Sequence, residues 1–134
     1  MNIALLAHDR KKELMVQFCI AYCGILSGHS ICATSTTGRL VSEATGLPIT
    51  LYMSCNQGGA QQIGARIAYN EIDLVLFFSD PQSDANATAE VTEIRRLCDQ
   101  YMIPFASNVA TAEVLVRGLQ RGDMDWRDIV NPKK

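Results

Sequence analysis

Five short apolar runs, each giving way to a polar cluster and then to residues in a helical period, constrain this chain more than any other feature. The runs are Ile3-Ala4-Leu5-Leu6, Ile31-Cys32-Ala33, the alternating Ile49, Leu51 and Met53, then Asp73-Leu74-Val75-Leu76-Phe77-Phe78, and last Ile103-Pro104-Phe105-Ala106. Continuous apolar runs of this length suit strands buried on both faces, the habit of parallel sheets. Between them Leu14, Phe18, Tyr22 and Leu26 recur every four residues, with Gly28 as a stop. Arg39 to Ala44 reads as a helix closing at Gly46, with Pro48 beyond it as a breaker. Ile63, Ala65 and Ile67, then Val91, Ile94, Leu97 and Tyr101, then Val109, Ala112, Val116 and Leu119 mark three more helical faces. Gln82 to Ala89 reads as a polar loop. Past Gly122, Trp126 and Ile129 are expected to anchor a final short element, and Asn131-Pro132-Lys133-Lys134 to fray. Strand and helix alternating in this way predict an α/β fold. It is a three-layer sandwich, a five-stranded parallel sheet with helices on both faces, as one domain over residues 1–134.

In such sheets ligands sit outside the carboxyl ends of the strands. The polar clusters fall at those ends: His8-Asp9, Thr34 to Gly38, Ser54 to Gly59, Asp80, and Ser107-Asn108. The turn Ser54-Cys55-Asn56-Gln57-Gly58-Gly59 links a strand to a helix, so free backbone N–H groups at the helix start can attract an anion, phosphate above all. Gly58 and Gly59 permit close backbone approach or a positive φ. Each cluster also has a plainer reading: Thr36-Thr37-Gly38 as a helix cap, Asp80-Pro81 as a turn. Polarity gathered at one sheet edge favours a binding site over five unrelated turns.

The remaining composition narrows the class. A net charge of −2 offers no electrostatic case for nucleic acid or a membrane surface. No apolar stretch approaches the roughly 20 residues of a membrane helix. The start Met1-Asn2-Ile3 carries no basic leader. Five cysteines, with no CxxC spacing, read as reduced thiols in a cytoplasmic protein. Cys19 and Cys23 stand four apart, yet only His29 offers itself as a further metal ligand, so packing is the preferred reading. Cys55, near a helix start, is either a reactive thiol or a neutral space-filler.

Taken together these pieces resemble the methylglyoxal synthase family over nearly the whole chain. The matching segments are Ile3 to Asp9 with Lys12, Ala33-Thr34-Ser35-Thr36-Thr37-Gly38, and Glu43-Ala44-Thr45-Gly46. They continue with Gly58-Gly59-x-Gln61-Gln62-x-Gly64-Ala65, Phe77-Phe78-x-Asp80-Pro81, and Ile103 to Ala112. The family takes dihydroxyacetone phosphate, removes a proton next to the carbonyl, and expels phosphate to give methylglyoxal. The resemblance implies a Rossmann-like fold, a homohexamer, a phosphorylated small molecule or inorganic phosphate as ligand, and no metal or organic cofactor. It also implies that Lys12, Thr34, Thr36, Thr37 and Ser54, with Cys55, Gly58 and Gly59, hold the phosphate. His8, Asp9 and Asp80 would lie near the reacting carbons.

The departures are as informative. The family places an aspartate, the proton-abstracting base, directly after the paired glycines, and here that position is Ala60. A family histidine serving the substrate oxygen falls on Ala87, while the carboxylate three residues later is kept as Glu90. Gly-Pro after the phosphate-loop serine has become Cys55-Asn56. The resemblance therefore implies a kept phosphate site and a depleted proton-transfer site. Three functions follow: a weakened or redirected phospho-lyase using Asp9, Asp80 or Glu90 as base, a metabolite sensor, or a subunit assembling with an active relative.

Overall fold

The computed structural model describes residues 1–130 and Pro132. Five parallel strands form its sheet: β1 (Asn2–Ala7), β2 (Ser30–Thr34), β3 (Ile49–Tyr52), β4 (Leu74–Phe78) and β5 (Phe105–Ala106), in the order β3-β2-β1-β4-β5. The register pairs Leu5 with Ala33 on one side and with Leu76 on the other. Among the described residues seven α-helices alternate with them in chain order, α1 (Lys12–Ala21), α2 (Cys23–Leu26), α3 (Ser35–Thr45), α4 (Gly59–Ala68), α5 (Ala85–Gln100), α6 (Val109–Arg121) and α7 (Trp126–Val130), and Asp9–Lys11 and Cys55–Gln57 form short 3-10 turns ahead of α1 and α4.

Alternation along the buried strands sorts the core into two layers. Ile3, Leu5, Leu74, Leu76 and Phe78 face Met15 and Phe18 of α1, Val41 of α3 and Val116 of α6. Ala4, Leu6, Val75 and Phe77 face Ile63 and Ile67 of α4, and Val91, Ile94 and Cys98 of α5. The expected three-layer α/β sandwich is the observed one. Cys19 is buried in the first layer, where its thiol meets Met15, and burial pushes it up to about 12.

Four local expectations change. The first helical face is broken at Tyr22, whose φ of −108° and ψ of 19° interrupt the ladder between α1 and α2. α3 begins at Ser35 rather than Arg39, although threonines favour caps over helix interiors. Packing overrides propensity there: a Cβ on Gly38 would lie 2.4 Å from Leu51 Cδ2, so the turn holding Thr36 and Thr37 sits tightly on β3. The polar stretch Gln82 to Ala89 is a loop only to Asp84. The Asp84 side chain accepts the Ala87 N–H at 2.9 Å and caps α5, which starts at Ala85.

The fourth change concerns α7. Trp126 and Ile129 are largely exposed, and the residue that docks the helix is Arg127, 2% exposed. Its Nε meets Asp73 Oδ1 at 3.3 Å and its Nη1 donates to the Met102 carbonyl at 2.6 Å. The expected fraying of Asn131, Lys133 and Lys134 falls outside the described residues. No helix among the described residues is long and apolar enough to cross a membrane.

Candidate functional site

The strand order places β1 beside β4, so the chain direction of winding switches between them, and a crevice opens at their carboxyl ends. The backbone leaves β1, β2 and β3 in the same way: His8, Thr34 and Ser54 have φ of −65°, −66° and −64°, with ψ of 156°, 154° and 157°. Each residue opens a helical turn, and none caps that turn with its side chain. α5 and α6, by contrast, are capped by Asp84 and Asn108. Three helical starts with uncommitted N–H groups thus converge on one side of a cavity of about 790 Å³.

The same cavity gathers Lys12, Thr34, Thr36 and Ser54 on that side, and Ser83, Asp84, Ala87 and Glu90 from the start of α5. His8, Asp9 and Asp80 also line it, with Asn56 and Gln57 of the Ser54 to Gly59 turn and with Arg10, to which the sequence reading gave no role. Thr37, Gly58, Gly59 and Ala60 are not among the described lining residues. Thr37 is buried, with its Oγ1 making no hydrogen bond, and Ala60 is buried in the first turn of α4. Gly58 takes a φ of +102°, which explains a glycine there. At Gly59 a Cβ would stand 1.9 Å from the Met53 carbonyl oxygen, so this glycine lets α4 start against the end of β3.

His8 is held by backbone at both ring nitrogens. The Asp80 N–H donates to Nδ1 at 2.8 Å, so Nε2 carries the proton and faces the Ala87 carbonyl at 3.3 Å. Phe77 meets the ring edge-on at 5.3 Å between centroids. The imidazole therefore links the ends of β1 and β4 to the first turn of α5. Asp80 itself accepts the Gln82 N–H at 2.9 Å, and its other oxygen faces Arg10 Nε at 3.9 Å.

Lys12 pairs with Asp9, which holds the Asp9 carboxyl below its ordinary value. The Asp9 side chain is 93% exposed, so this ion pair is weak and exchangeable. Deeper in the cavity Cys55 adjoins both the Thr34 hydroxyl and Glu90, and burial, with the Glu90 charge adding, pushes its thiol up to about 11. Cys55 is thus a neutral thiol near pH 7. Burial likewise raises the Glu90 carboxyl above its ordinary value; His8 and a hydrogen bond with the Cys55 thiol oppose that shift and Asp84 adds to it. Glu90 Oε2 is buried and makes no hydrogen bond. Among the described residues no group of three or more His, Cys, Asp or Glu side chains is placed to hold a metal ion.

The family model for the MGS-like domain matches residues 15–107. The methylglyoxal synthase of Caldicellulosiruptor saccharolyticus is 57% identical over 133 residues, covering 99% of this chain and 94% of that one. That of Geobacillus thermodenitrificans is 50% identical, covering 98% and 91%. The crystal structure of methylglyoxal synthase from Elizabethkingia anophelis superposes with a TM-score of 0.77 at 39% identity, over 86% of this chain and 76% of that one. Fold and sequence agree, and the chain belongs to the methylglyoxal synthase family.

Proposed function

We propose that the cavity binds a small phosphorylated carbonyl compound of the dihydroxyacetone phosphate type, and that the chain performs the family's phosphate elimination weakly at most. The carrying observation is the convergence of three uncapped helical starts on one cavity, beside Lys12, Thr34, Thr36 and Ser54. A phosphate dianion suits a lysine ammonium, hydroxyls and oriented N–H groups. Lys12 can turn to it because its present partner, Asp9, is solvated. Weak elimination follows from Ala60 and Ala87, which carry neither a proton acceptor nor an N–H donor on their side chains. Dihydroxyacetone phosphate or inorganic phosphate titrated into the wild type should bind measurably by calorimetry. Lys12→Ala should weaken that binding by about 1.5–3 kcal/mol, the scale of a charge-assisted hydrogen bond. Equal affinity in the two proteins would place the phosphate elsewhere.

We also propose assembly, as a homohexamer like the one the resemblance implies. Its support is the apolar surface at the sheet edge, where Leu51 of β3 and Met53 just after it are 43% and 50% exposed. Light scattering at micromolar concentration should give a mass well above one chain. A mass of one chain throughout that range would refute it.

A further inference from the structure

We propose that Glu90 is the proton acceptor of this site, doing in this chain what Ala60 cannot do. The inference rests on the binding reading above and assigns the chemistry of the same cavity. A base for carbon acids needs a lone pair that is free, close and shielded from water. Four carboxylates line the cavity, and three are solvated or committed. Asp9, its side chain 93% exposed, lies in solvent and is not shielded from water. Asp80 accepts from the Gln82 N–H and faces Arg10. Asp84 caps α5. The Glu90 carboxylate meets the Cys55 thiol, yet it alone of the four presents a buried oxygen, Oε2, with no hydrogen bond.

The other candidate acceptors fall away for similar reasons. His8 spends the Nδ1 lone pair on the Asp80 N–H and points its Nε2 proton at the Ala87 carbonyl. Cys55 holds its proton near pH 7. Glu90 is carried in the second turn of α5, whose start is fixed by the Asp84 cap and by His8, and whose Val91 and Ile94 lock the helix to the sheet. A carboxylate so mounted is preorganised rather than mobile. The desolvation that raises its carboxyl also makes its ionised form a stronger base.

The step balances without a co-reactant. A Glu90 oxygen takes the proton from the hydroxymethyl carbon next to the carbonyl. The C–H electron pair forms the enediolate double bond and leaves negative charge on the carbonyl oxygen. That oxygen takes the proton of the neighbouring hydroxyl, whose own oxygen re-forms a C=O bond; the double bond shifts onto the phosphate-bearing carbon, and the C–O bond to phosphate breaks with phosphate keeping the electron pair. The enol left behind takes a proton at its terminal carbon and gives up its hydroxyl proton to become methylglyoxal.

The test uses the full chain and two independent readouts. Exchange of the carbon-bound protons of dihydroxyacetone phosphate for solvent deuterium is followed by NMR, with the enzyme-free rate subtracted, and inorganic phosphate binding is followed by calorimetry. The wild type should exchange above background, and Glu90→Gln should lower that rate by about 100-fold. Phosphate affinity should change by less than about threefold, and Glu90→Asp should recover part of the exchange. In the wild type exchange should rise with pH through the raised Glu90 carboxyl, whose charged or titratable neighbours are His8, Asp84 and Cys55, and that rise should be absent in Glu90→Gln. Exchange as fast in Glu90→Gln as in the wild type would overturn the assignment, as would a wild type that binds phosphate but shows no exchange. A wild type that does not bind phosphate would overturn the binding reading and this assignment with it.

Discussion

Ala60→Asp combined with Ala87→His is expected to raise methylglyoxal formation from dihydroxyacetone phosphate by about 100-fold or more. General-base catalysis contributes on the order of 10²–10⁴, and a donor to a developing oxyanion a further comparable factor. The structure gives both side chains a workable seat. Position 60 lies in the first turn of α4, where free N–H groups and the helix dipole stabilise a carboxylate despite a residue exposure of only 4%. Position 87 lines the cavity in the first turn of α5. Because Asp84 caps that helix and His8 faces the Ala87 carbonyl, a histidine there would extend from an ordered turn instead of a loose loop. Initial rates of methylglyoxal release from the wild type, each single variant and the double variant provide the measurement. Wild-type turnover already at the roughly 10–100 per second of a competent enzyme would sink the proposal of a weakened site. A double variant no faster than wild type would show that positions 60 and 87 do not govern the chemistry.

What the sequence revealed and what it hid divide along physical lines. Strand β4 was plain because all five of its residues, Leu74 to Phe78, are buried on both faces, leaving an uninterrupted apolar run. The polar strand ends were equally legible, since their contrast with those runs is local. α5 was placed too late because its first turns, Ala85 to Ala89, expose small and polar residues with no apolar period; the Asp84 cap was the available signal. The commitments within the cavity were out of reach. Whether His8 is a base or a strut depends on Asp80 and Ala87, 72 and 79 residues away, and no periodicity reports that. Arg10 carries no pattern of its own, because a polar residue between a strand and a helix reads as an ordinary solvated turn. The departure at Ala60, conversely, was visible only against the family's motif, because an alanine in a helix raises no local alarm.

Arg127→Met is expected to destabilise the chain by about 3–5 kcal/mol, the usual cost of removing one partner of a buried ion pair. Hydropathy puts an arginine on the surface, yet Arg127 is 2% exposed and Asp73 is fully buried. Asp73 sits at the start of β4, where its Oδ2 accepts the Asn2 N–H at 2.8 Å and its own N–H donates to the Asn2 carbonyl at 2.7 Å. One guanidinium therefore ties α7 to the starts of β1 and β4 and to the Met102 carbonyl. Methionine fills a similar volume but supplies no donor, so the buried Asp73 carboxylate would lose the guanidinium while remaining out of water. Arg127→Lys should rescue little, because a single ammonium cannot reach both Asp73 and the Met102 carbonyl as the planar fork does. Set against the 5–15 kcal/mol that holds typical domains together, the loss should lower the melting temperature by on the order of 10 °C. Adding Asp73→Asn to Arg127→Met should recover part of the loss, since an amide is cheaper to bury than a carboxylate. Melting of Arg127→Met within about 2 °C of wild type would mean that the ion pair contributes little and that α7 is held by its remaining contacts.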